Sequence, residues 1–156
     1  MEKKKIEVIP YLAFQGNCEE AVNTYIKAFG GEIYYMSRWS ENTFDQTPDQ
    51  IGKVMHVEFV LGSTRMAAGD TFDGAGGNTD IRLMIHMDSE EEALHTISVL
   101  AEGGTVLAPL QPHPEPDDDG CGSVTKDRFG YTWIITCPNP AKLRAVQAQD
   151  LSETRD

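Results

Sequence analysis

The chain has 156 residues, with 13 basic side chains against 25 acidic ones, a formal net charge of −12 and 40% apolar content. Nucleic acid is held by clustered Lys and Arg, so this charge balance excludes it as a partner, and it equally disfavours docking on anionic lipid. Three scattered cysteines (Cys18, Cys121, Cys137), no signal-type segment and no apolar run of about 18 residues lead us to expect a soluble cytoplasmic protein without a disulfide framework or a membrane span.

In chain order, the basic run Lys3–Lys5 reads as a solvated terminus and Glu7–Phe14 as a strand. Asn17 with Glu20 has capping-box spacing. From there Cys18, Ala21, Val22, Tyr25, Ile26 and Phe29 recur at three- and four-residue steps, the pattern of an amphipathic helix. Gly30-Gly31 ends it. Strands are expected at Glu32–Trp39, Val54–Leu61 and Thr64–Ala68, with the polar stretch Glu41–Lys53 as a loop. Asp73–Gly77 is glycine-rich but has no lysine and opens no helix, so it reads as a connection rather than a phosphate loop.

The second half repeats the scheme. Ile81–Met87 reads as a strand, Ser89 with Glu92 as a second cap, and Ala93, Leu94, Ile97, Leu100 and Ala101 as a second apolar stripe, ended by Gly103-Gly104. Thr105–Leu107, Ser123–Lys126 and Tyr131–Cys137 follow as strands. Pro109–Gly122, with four prolines and three consecutive aspartates, is excluded as a central strand. The aspartate run lacks the spaced ligands of a calcium loop. Ala141–Gln149 reads as a short amphipathic helix. The reading is an internally duplicated α+β protein: residues 1–72 as one module, 73–80 as a connection, 81–138 as the second module and 139–156 as a helix and tail, the two copies enclosing a small-molecule cleft.

Strand alternation then assigns faces. Met55, Val57, Phe59 and Leu61 share one face of their strand and suit packing beneath a helix. His56 and Glu58 point the other way. Opposite the apolar face of Ile81–Met87 stand Arg82, Met84 and His86. His56 is then a ligand or proton-transfer group, or a hydrogen-bonded wall residue. Glu58 is a catalytic carboxylate or an ion-pair partner. Arg82 is suited to gripping a carboxylate or phosphate, or to pairing with Glu58. Trp39 and Trp133 are able to stack on a ligand or to fill a core.

The run Tyr11–Ala21, with Tyr25 and Phe29-Gly30-Gly31, resembles the opening of PhnB-like proteins of the glyoxalase/bleomycin-resistance, or vicinal-oxygen-chelate, superfamily. Val54-Met55-His56, Gly77-Asn78, Leu100–Gly104, Pro109-Leu110 and Asp127–Gly130 leading to Trp133 extend the resemblance over residues 6–137. It implies paired βαβββ modules with a curved, mostly antiparallel sheet around a small-molecule site and helices on the outer face, assembled as a homodimer. It also implies a metal held by four inward ligands, which fall near Ile9–Tyr11 and at His56, Arg82 and Ile134. Of these only His56 is a good ligand, since arginine and isoleucine offer no usable lone pair.

The functional expectation is therefore a metal-independent protein that binds or sequesters a small molecule through His56, Glu58, Arg82, Met84 and Trp133, with no cofactor. The alternative is a lyase, isomerase or dioxygenase using a divalent metal bound partly through His56.

Overall fold

The structure, a computed structural model, describes residues 5–41 and 47–153. Lys3 and Lys4 of the basic run, residues 42–46 of the expected polar loop, and the last three residues lie outside the described residues. The chain divides into two units, Met1–Gly77 and Asn78–Asp156.

The first unit contains β1 (Tyr11–Phe14), α1 (Cys18–Phe29), β2 (Gly31–Arg38), β3 (Val54–Leu61) and β4 (Thr64–Asp70), in the sheet order β1-β4-β3-β2. The second contains β5 (Asn78–His86), α2 (Glu90–Ala101), β6 (Thr105–Pro112), β7 (Gly120–Lys126), β8 (Tyr131–Pro138) and α3 (Pro140–Glu153), in the order β5-β8-β7-β6. Each four-stranded sheet is mixed. Its first strand pairs parallel with its last, and the other two pairings are antiparallel. This is the α+β architecture expected from the sequence.

Each helix packs on its own sheet, α1 against β2, β3 and β4, and α2 against β6, β7 and β8. The α1 stripe buries Cys18, Ala21, Val22, Tyr25 and Ala28 over Val57, Phe59 and Ala68 of the sheet. The α2 stripe is shifted from the expected one. Thr96 and Val99 are buried with Ala93, Ile97 and Leu100, whereas Leu94 is exposed. Each fully buried aliphatic side chain here contributes roughly 1.5–3 kcal/mol relative to an exposed one.

The two helices start differently. Ser89 caps α2 as its spacing indicates, its Oγ accepting from the Glu92 amide at 3.2 Å, while Glu92 Oε2 accepts from the Asp88 amide at 3.2 Å. The Asn17 side chain makes no cap bond. The buried carboxylate of Asp70, at the end of β4, takes its place. Asp70 Oδ1 accepts from the Gly16 amide at 2.7 Å and the Cys18 amide at 3.0 Å, and Oδ2 from the Val54 amide at 3.0 Å. A partner distant in sequence does the work that the local cap was expected to do.

Two strand expectations and one helix expectation are corrected. In β3 the predicted apolar face holds from Val57 onward, but Val54 is buried and Met55 exposed. Pairing with β2 slips there, since Ser37 opposes His56 and Arg38 opposes Val54, and one extra residue reverses the alternation. In the second unit, β6 continues through Pro109 to Pro112 into the stretch expected to be a loop. It can do so because it is an edge strand, where a missing N–H costs no ladder bond. The terminal helix α3 is longer than expected, and its Leu143 and Leu151 are exposed rather than packed.

Candidate functional site

With α1 covering one face of the first sheet, the side chains of the other face form a cluster. The register places Tyr11 beside Ala67, Glu58 beside both Ala67 and Tyr35, and Ser37 beside His56. His56 is central. Its ring lies 6.0 Å from that of Tyr11 at an interplanar angle of 22°, and 6.2 Å from that of Tyr35 at 51°. Its Nε2 stands 3.7 Å from Glu58 Oε1, an electrostatic contact too long for a hydrogen bond.

Glu58 in turn lies 3.5 Å from Arg65, which reaches Glu7 at 3.5 Å and sits 5.8 Å over the Tyr34 ring. Tyr34, then the carboxylates of Glu58 and Glu7, hold Arg65 in its charged form. Burial, followed by the neighbours Cys18, Asp70 and Asp73, pushes the Tyr11 phenol up, so it stays neutral and able to donate at physiological pH.

Small residues create the space for this cluster. A Cβ at Gly69 would lie 2.4 Å from the Tyr11 hydroxyl oxygen and 2.7 Å from the Met55 carbonyl oxygen, so only glycine lets the Tyr11 side chain lie across β4. Ala67 supplies the adjacent shallow position. Tyr11 and Tyr35 are about half exposed, and the His56 and Glu58 side chains are 37% and 28% exposed. The arrangement offers two phenol rings and an imidazole for stacking, one carboxylate for a donor, and a guanidinium at the rim.

Of the residues singled out from the sequence, His56 and Glu58 are brought together here. Arg82 and Met84 lie two apart on β5 of the second unit, both exposed, with Arg82 Nε donating to the Thr79 carbonyl at 3.3 Å and Met84 in register with Ile134. His86 meets the Thr136 hydroxyl at 2.8 Å. Trp133 is placed differently from the expectation of a stacking surface. It is 2% exposed, it occupies the buried face with Ile135 and Cys137, and its indole N–H donates to Asp127 Oδ2 at 2.9 Å. Its place in strand alternation, odd-numbered with those buried neighbours, carried that signal. Trp39 likewise spends its N–H on the Asp70 carbonyl at 2.9 Å.

Tyr11, Tyr35 and Arg65 are the contributors that sequence reasoning missed. Tyr35 is obscured by a register shift between Ile33 and Tyr35, which breaks simple alternation along β2.

The donor set does not suit the divalent metal that the fold implies. On the first sheet His56 has one carboxylate, Glu58, beside it, and among the described residues no three His, Cys, Asp or Glu side chains converge. A separate hollow of about 440 Å³ lies at the start of α1, lined by Asn17, Glu19, Glu20, Lys53 and Asp70. The Asp70 oxygens there are already taken by three backbone amides, so that hollow has less free chemistry than the open sheet face.

The strand order and helix placement of both units define a vicinal-oxygen-chelate fold. A genomically encoded fosfomycin resistance protein, FosX of Listeria monocytogenes, shares it with a TM-score of 0.60 at 12% identity, over 89% of this chain and 98% of that one. Protein PA1353 of Pseudomonas aeruginosa is 30% identical with a TM-score of 0.73, covering 86% of this chain and 98% of its own. The PhnB protein of Bacillus cereus is 27% identical with a TM-score of 0.72, covering 85% and 99%. The 3-demethylubiquinone-9 3-methyltransferase family model matches residues 6–136, and the chain belongs to that family, the PhnB-like branch of the vicinal-oxygen-chelate superfamily.

Proposed function

We propose that this protein binds a small molecule on the open face of its first sheet and does so without a divalent metal. The observation that carries the reading is the His56 imidazole set between the Tyr11 and Tyr35 rings with a single carboxylate, Glu58, beside it. Such a surface grips a planar or partly apolar ligand by stacking and orients it through one or two polar contacts. Arg82 and Met84, on the exposed strand β5, are proposed as ligand contacts of the second unit, and Trp133 is withdrawn from that role because its indole is buried. Binding with sequestration of the ligand is favoured over turnover because the carboxylate beside His56, Glu58, stands 3.7 Å from its Nε2, beyond hydrogen-bond reach.

The methyl transfer in the family's descriptive name is not adopted for this chain. A nucleotide-type cofactor is gripped by a glycine-rich loop that opens a helix; here Asp70 takes the Gly16 and Cys18 amides at the entry to α1, and the glycine-rich Asp73–Gly77 opens no helix. A homodimer in the cytoplasm is part of the proposal. Among the described residues no helix is long and apolar enough to cross a membrane.

The test is a thermal-shift screen of charged metabolites and antibiotics, run with chelator and again with zinc, nickel, iron or manganese. Saturable shifts that survive chelation and vanish in His56→Ala support the proposal. Shifts or turnover that appear only with an added metal replace it with the metal-dependent enzyme reading.

A further inference from the structure

Two of the three cysteines stand directly opposite one another. In the antiparallel pairing of β7 with β8, Cys121 is in register with Cys137, and both point into the buried face beneath α2. Two residues further on, the Asn139 amide donates to the Asp119 carbonyl at 2.8 Å, which marks that pair as hydrogen-bonded. Alternation by two makes Cys121 and Cys137 a hydrogen-bonded pair as well, with a Cα separation of about 5.5 Å. That falls within the roughly 4.4–6.8 Å span that a disulfide bridges.

The two thiols differ in access. Cys121 lines a cavity of about 180 Å³ bounded by Glu90 at the start of α2, Leu110 to Pro112 at the end of β6, and Asn139 to Ala141 at the start of α3. That volume exceeds several-fold the roughly 30 Å³ that one water occupies, so a small hydroperoxide fits. Cys137 is wholly buried and does not line that cavity. Cys18 is buried in the other unit with no second thiol in register.

We propose that Cys121 and Cys137 form an oxidisable dithiol, Cys121 meeting a hydroperoxide through this cavity and Cys137 closing a reversible disulfide across β7 and β8. In the first step the Cys121 thiolate attacks the peroxide, the O–O bond breaks, and a sulfenic acid forms as the second oxygen leaves as water or alcohol. In the second, Cys137 sulfur displaces that hydroxyl, which leaves as water with the Cys137 proton. The two sulfurs give up two electrons and the peroxide is reduced by two.

The groups facing Cys121 set its rate. Burial, then Glu90, pushes the Cys121 thiol up, while its hydrogen bond with Cys137 pulls it part of the way back. For Cys137, burial and then Cys121 and Glu90 all push upward. Among the other cavity residues, those of β6 and α3 are uncharged. Oxidation is therefore slow at neutral pH, and its rate rises about tenfold per pH unit, as thiolate does below its pKa.

The experiment treats reduced full-length protein with hydrogen peroxide at about pH 7 and about pH 9 and follows intact mass and non-reducing peptide maps. Cleavage at Lys126 and Arg128 separates the two cysteines. The expected result is loss of two hydrogens, a Cys121–Cys137 cross-linked peptide, one remaining thiol at Cys18, and reversal by dithiothreitol. Cys137→Ser should trap a dimedone-reactive sulfenic acid at Cys121, and Glu90→Gln should raise the oxidation rate several-fold. Three free thiols after treatment at both pH values, or a cross-link through Cys18 or between chains, overturns the proposal. The wild-type map decides the matter even if a variant fails to fold.

Discussion

Asp70 connects three parts of the first unit through one buried carboxylate, which takes amides from the entry to α1 and from the start of β3. Removing it strands those donors in a dry environment. Asp70→Ala should lower stability by about 2–4 kcal/mol in urea denaturation, and Asp70→Asn by less because one oxygen remains. Gly69 carries a different burden. Gly69→Ala should displace Tyr11 from its place across β4 and press on the Met55 carbonyl, reducing any ligand-induced thermal shift as Tyr11→Ala does and lowering stability as well. A Gly69→Ala protein with full ligand response would remove Tyr11 from the site. Glu19, whose pKa is lowered by its hydrogen bond with Arg38, joins the first turn of α1 to the end of β2. Because the depressed value belongs to the folded state, the pair's stabilisation is present above the ordinary Glu value of 4.5 and disappears as pH falls below it. Both side chains are half exposed, so a double-mutant cycle should return under about 1 kcal/mol near neutral pH and nothing in acid. His56 and Glu58 could be found from alternation alone. Tyr11, Tyr35 and Asp70 could not, because their roles depend on which strands become neighbours.

The helix ends show why a motif can be correct while its assumed reason is incomplete. Gly30-Gly31 follows α1 directly and Gly103-Gly104 follows α2 after Glu102, and the expected reason is a left-handed residue at the helix stop. Gly30 and Gly103 do have positive φ, of 76° and 72°. The second glycine of each pair answers to a tighter constraint. A Cβ at Gly31 would lie 1.9 Å from the Val60 carbonyl oxygen, and one at Gly104 2.3 Å from that of Lys126. Gly31→Ala and Gly104→Ala should each cost more than about 3 kcal/mol by forcing neighbouring strands apart. Gly30→Ala, with open space around its Cβ, should cost only about 1–2 kcal/mol. Equal effects at Gly30 and Gly31 in denaturant titrations would disprove that division. Element types were legible because the apolar periods of helix and strand are strong. The β3 start and the length of β6 were not, because a bulge and an edge position are properties of pairing, which a single strand's sequence does not encode.

Each unit has a four-stranded sheet with its last strand paired beside its first, and two such units are expected from the sequence on a second cap, stripe and Gly-Gly about 72 residues on. Family membership followed from motifs spread along nearly the whole chain. Function was less legible because the fold is a frame on which different side chains are mounted. What remains on the first sheet is an imidazole between two phenols with a carboxylate beside it, a surface suited to stacking rather than to chelation. The proposed binding is best tested by amide-resolved NMR of the labelled protein, titrated in excess chelator with any compound that gives a saturable thermal shift. We expect the perturbed amides to gather on β1, β2 and β3 around Tyr11, Tyr35, His56 and Glu58, and to be lost in His56→Ala. Perturbations that require added zinc or manganese, or that gather instead at the hollow beside Asn17 and Glu20, would contradict it.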